Sequence, residues 1–73
     1  GAAAAARRAG PAMTETVVGF EALATRGQAL AAQLDYAGAI DAMRRALALR
    51  PDEHWLRVNL ARALFARRRA AAV

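Results

Sequence analysis

The sequence predicts an all-α fold: an antiparallel helix-turn-helix followed by a third packed helix, behind a flexible low-complexity N-terminal tail. Three observations predict it. From Phe20 onward, apolar residues recur at the i, i+3, i+4, i+7 spacing of one helix face. Helix-breaking and capping residues fall between the periodic segments, at Asp35-Tyr36 and at Pro51-Asp52. Residues 23–33, LATRGQALAAQ, return in altered form as residues 57–67, RVNLARALFAR, an offset of 34.

Residues 1–13, GAAAAARRAGPAM, form the Ala/Arg tail, either native or appended, with Met13 a candidate native start. Alanine favours helix, but Gly10-Pro11 interrupts it. The tail lacks the leucine-rich segment of a secretory signal, and no apolar run in the chain approaches the ~20 residues that cross a bilayer. Residues 14–73 are expected to form the helical unit, with helices at about 15–34, 37–50 and 53–67. Thr14 is the expected N-cap of the first. Its core stripe reads Phe20, Leu23, Ala24, Gly27, Leu30, Ala31 and Leu34. Gly27, in the middle of that stripe, costs about 1 kcal/mol relative to alanine, and close approach of a second helix is the expected compensation.

Asp35 and Tyr36 form the first connection, and Tyr36 is expected to plug the open end of the pair. The second helix places Ala39, Ile40, Met43, Ala46 and Leu47 on one side. Ala39 and Ala46, seven apart, are the small places that let Gly27 come near. Pro51 stops this helix, and Asp52 is the expected cap of the third, with Glu53 in its first turn. Connections this short make neighbouring helices antiparallel. On the third helix Leu60, Ala61 and Leu64 continue the core line, while Trp55, Val58 and Phe65 make a second apolar stripe with Arg62 between them.

Composition bounds the chemistry. The chain has 73 residues, a net charge of +5, eleven cations that are all arginine, and no cysteine, serine or lysine. Disulfides, thiolate metal sites and the commonest nucleophiles are thereby removed. The absence of cysteine fits a reducing compartment, and a cytoplasmic location is expected. His54 stands alone, where a metal site needs three or four ligands, and Asp52 and Glu53 have a sufficient role at a helix start. No glycine-rich phosphate loop is present. The expectation is no enzyme, no cofactor and no metal. The arginines fall as Arg7-Arg8, Arg44-Arg45 and Arg67-Arg68-Arg69. Nucleic-acid binding would require them to converge on one face, and basic residues near helix C-termini have a structural reason of their own. A basic nucleic-acid-binding module is therefore the alternative reading, and nucleic acid is not the expected partner.

The 34-residue period of a helix–turn–helix unit points to one repeat class. Residues 20–53 resemble a tetratricopeptide repeat, with Leu23, Gly27, Leu30, Tyr36, Ala39, Met43, Ala46 and Pro51 in the register of its large and small signature residues. The resemblance covers one full repeat and the first helix of a second. Three departures stand out: Arg26 replaces a large aliphatic residue, Arg57 an aromatic one, and Arg67-Arg68-Arg69-Ala70 the glycine–tyrosine turn expected after the third helix. About three repeats are normally needed for a stable array. The chain is thus expected to be a fragment, a self-associating unit or a piece that docks on something larger.

The resemblance implies a non-catalytic protein–protein interaction module, binding a partner peptide or joining identical chains, or else a scaffold segment of a larger protein. It implies a concave groove made by Glu21, Ala24, Thr25, Gln28, Ala31 and Ala32 of the first helix. The matching residues of the third are Trp55, Val58, Asn59, Arg62, Phe65 and Ala66. The binding residues expected from it are Gln28, Trp55, Val58, Asn59, Arg62 and Phe65, with aromatic and arginine side chains the types that dominate binding energy. Plain cover for a neighbouring repeat is the other reading of Trp55 and Phe65. Asn59 with Arg62 could hold a terminal carboxylate in such a groove, but the first helix supplies no lysine or asparagine to complete a clamp.

Overall fold

A computed structural model of the chain describes residues 2–72, with side chains described from residue 17 onward. Its elements are α1 (Ala2–Ala32), α2 (Tyr36–Leu49) and α3 (His54–Ala72), and the described residues contain no strand. α2 packs against both α1 and α3, whereas α1 and α3 hardly touch, so α2 forms the floor between them.

The start of α1 differs from the expectation. The backbone is helical from Ala2 through Gly10-Pro11 and Thr14, not from about residue 15. Residues 2–9 are mostly alanine with two arginines, both strong helix formers, and the helix continues through Pro11 although a proline removes one intrahelical hydrogen bond and crowds the preceding turn. The side chain of Thr14, and with it the expected cap, lies outside the described side chains.

α1 ends in a Schellman turn. The Asp35 N–H donates to the Leu30 carbonyl at 2.9 Å and the Leu34 N–H to the Ala31 carbonyl at 3.0 Å. This geometry requires a left-handed residue, and Leu34 supplies it at φ 65°. Glycine usually stands there, because a side chain in this region is strained. Leu34 is therefore not part of the core stripe; it points outward, 71% exposed.

Asp35 then caps α2, its Oδ1 accepting from the Gly38 N–H at 3.1 Å. Tyr36 is consequently the first residue of α2 and not a linker. α2 stops at Leu49 ahead of Pro51, with the Arg50 N–H donating to the Ala46 carbonyl at 3.0 Å. At the start of α3 the expected cap moves by one residue. The Glu53 carbonyl accepts from both Leu56 and Arg57, each at 3.2 Å, and Asp52 lies in the preceding turn. α3 continues to Ala72 instead of ending near residue 67, since arginine and alanine sustain the helix and Arg69 in the last turn favours its dipole.

The core brings together Phe20, Ala24, Ala39, Ile40, Met43, Ala46, Leu56 and Ala63, with Leu23, Leu30, Ala31, Leu47 and Leu60 packed at its edge. The close approach at Gly27 is real. A Cβ built there would lie 2.8 Å from Met43 Cγ and 3.4 Å from the Ala39 carbonyl oxygen. Met43, not Ala46, is thus the nearest neighbour, although Ala39 and Ala46 are fully buried. On α3 the core line is Leu56, Leu60 and Ala63; the expected Ala61 and Leu64 are exposed. Their α1 counterparts Gly27 and Leu30 are covered by α2, whereas α3 turns a different side, that of Leu56 and Ala63, toward α2.

Candidate functional site

Because α2 separates α1 from α3, a groove runs along the seam between those two helices. Its middle is a depression of about 290 Å³ lined by Gln28 and Ala31 of α1, Tyr36 and Met43 of α2, and Asn59, Arg62, Ala63 and Ala66 of α3. Polar tips thus rim a mostly apolar floor. Two further depressions adjoin it. One shares Gln28 and extends past Thr25, Ala24 and Glu21 to Phe20, Arg50, Glu53 and Trp55. The other shares Tyr36 and Ala66 and is bounded by Phe65, Arg69 and Ala70.

Each polar side chain has a local reason for its place. Asn59, Arg62 and Ala66 follow one another at i, i+3, i+7 on α3, a quarter turn from the buried Leu56–Ala63 line, so burying that line aims them at α1. At one end Glu53 ties the chain together: Oε2 accepts from Trp55 Nε1 at 2.9 Å, and Oε1 lies 3.6 Å from Arg50 Nη1. The Arg50 guanidinium sits 4.8 Å above the Phe20 ring centroid. Trp55 is thereby held over the groove end while 43% exposed. At the opposite end the Arg69 guanidinium lies 5.9 Å from the Phe65 ring centroid.

Of the residues expected at the site, Gln28, Asn59 and Arg62 meet in the central depression, Trp55 stands at one end and Phe65 at the other. Val58 borders none of the three depressions; it is exposed on the flank of α3 that faces away from α2. Tyr36, Met43, Arg50 and Glu53 also belong to the groove and were not expected there. Arg50 and Glu53 form an opposite-charge pair at i, i+3 around Pro51, a signal present in the sequence. Among the described residues no group of three or more His, Cys, Asp or Glu is placed to hold a metal ion, and no helix is long and apolar enough to cross a membrane.

Residues 20–53 match the family model described as Tetratricopeptide repeat, in the span marked by the signature residues from Leu23 to Pro51. No curated protein matches the chain, and no solved structure does.

Proposed function

We propose that this chain, whose residues 20–53 are a tetratricopeptide repeat, is a non-catalytic protein–protein interaction module that takes a peptide segment of a partner protein along the α1–α3 groove. One observation supports this above the others: Gln28, Asn59 and Arg62 converge over an apolar floor while Trp55 and Phe65 stand exposed at its two ends. Amide and guanidinium groups that already face solvent can exchange water for the carbonyls and side chains of an extended segment. The half-exposed aromatic rings can then complete their burial against its apolar residues. Three small depressions in a row suit successive side chains of one peptide. The proposed location is cytoplasmic.

The test is the double variant Trp55→Ala with Phe65→Ala. Partner binding is expected to be lost while far-UV circular dichroism stays close to that of the parent chain, because both rings are largely outside the core. Loss of helicity together with binding would mean that the rings support the fold, and the reading would fail.

A further inference from the structure

α3 carries a second surface, which shares only Phe65 with the groove. Advancing 34 positions takes Ala24, Gly27, Leu30 and Ala31 of α1 to Val58, Ala61, Leu64 and Phe65 of α3. In α1 that stripe is closed: Ala24 and Gly27 are buried, and Leu30 and Ala31 pack at the edge of the core. In α3 the same stripe is bare, with Phe65 62% exposed and the other three exposed as well. One helix thus repeats the spacing of the other, and among the described residues no helix covers it.

Charge says what kind of helix would fit. Arg57 and Arg68 flank the bare stripe, 34 positions on from Leu23 of α1 and Leu34 of the turn that follows it. α3 holds five arginines and no aspartate or glutamate. Two copies meeting through this face would set guanidinium groups against one another with no carboxylate between them. Across the α1–α2 seam, the residues gathered beside Leu23 include Asp41 and Arg45 of α2. A helix seated on α3 as α2 sits on α1 would therefore bring its counterparts of Asp41 and Arg45 beside Arg57. We propose that this outward stripe binds an acidic amphipathic helix of a partner protein. That helix carries small residues where α2 has Ala39 and Ala46, and carboxylates within reach of Arg57 and Arg68.

The probe is a synthetic peptide of α2, residues 36–49, carrying Arg44→Glu and Arg45→Glu and held helical by a side-chain cross-link on its exposed face. The unaltered α2 sequence, cross-linked in the same way, is the cationic comparison. Both are titrated against the full chain by fluorescence anisotropy. The acidic peptide is expected to bind saturably and about tenfold tighter than the cationic one. Arg57→Glu with Arg68→Glu, and separately Leu64→Asp, are each expected to weaken it by about tenfold or more. These three positions are exposed, and circular dichroism verifies that the variants remain helical. Asn59→Ala, in the groove, is expected to leave this binding unchanged, which separates the two surfaces. Absence of saturable binding, equal affinity for the two peptides, or indifference to the paired arginine reversal would overturn the proposal. So would a molecular mass that doubles with concentration in light scattering and reverts in Leu64→Asp, which would assign the face to a second copy.

Discussion

Replacing Gly27 with alanine sets helix propensity against packing, and the structure supplies the terms. Alanine in the interior of α1 would gain about 1 kcal/mol over glycine. Against this, the new Cβ would lie 2.8 Å from Met43 Cγ, 3.4 Å from the Ala39 oxygen and 3.5 Å from the Met43 nitrogen. Carbon atoms in contact normally keep about 3.5–4.0 Å. Met43 is only 2% exposed and packs within the core, so a buried side chain must repack or the helices must part. Overpacking of this kind costs about 1–3 kcal/mol. The net expectation is a loss of about 1 kcal/mol, or a melting temperature lower by roughly 4–8 °C for a chain of this size. Gly19→Ala, in the same helix, is the control. Its Cβ would lie 3.7 Å from Leu49 Cδ1, an ordinary contact, so propensity alone should raise stability by about 0.5–1 kcal/mol. Thermal and urea unfolding followed by circular dichroism would measure both. If Gly27→Ala stabilises as much as Gly19→Ala, close helix approach is not the reason for Gly27, and the account of the α1–α2 contact is wrong.

Leu34→Gly should stabilise the chain by about 1 kcal/mol, since it relieves the left-handed strain at the Schellman turn and removes a side chain that is mostly exposed; an unchanged or lower urea midpoint would contradict this. Asp35→Ala should cost about 1 kcal/mol by removing the cap on the Gly38 N–H, and a loss well below about 0.5 kcal/mol would show the cap to be idle. Glu53→Ala should cost about 1 kcal/mol at most, because its ion pair with Arg50 is partly exposed. It should nevertheless lower the fluorescence anisotropy of Trp55, the single tryptophan of the chain. Unchanged anisotropy would mean that the Glu53 carboxylate does not hold the ring.

How much was legible in the sequence depended on which neighbour each side chain met. The α1–α2 contact could be read in advance because Gly27, Ala39 and Ala46 are small residues at helical spacing, where leucine would be ordinary. The Schellman turn could not, since nothing about a leucine announces a positive φ; only the absence of a glycine at the helix end was visible. On α3 the expected core line holds at Leu60 but not at Ala61 and Leu64, which are exposed. Alanine and leucine occur on several faces of that helix, so apolar periodicity did not single one out. The 34-residue offset carries positions from α1 to α3 but not the neighbours that cover them, and Ala61 and Leu64 stand bare where Gly27 and Leu30 are enclosed. For the groove, the family resemblance implied Gln28, Asn59 and Arg62, and these three line one depression. Val58 was misplaced to the groove because its side of α3 turns outward. Arg50 and Glu53 were overlooked because they lie in the connection and not on a periodic face.

The most direct test of the groove as the binding surface is an NMR titration of the isotopically labelled full chain with a peptide selected against it from a random display library. The account predicts the largest amide shift changes at Gln28, Trp55, Asn59 and Arg62, and loss of binding in Arg62→Ala. Failure to recover any binding peptide would contradict it. So would shifts confined to the opposite side around Arg26 and Arg45, with Arg62→Ala binding as well as the parent chain.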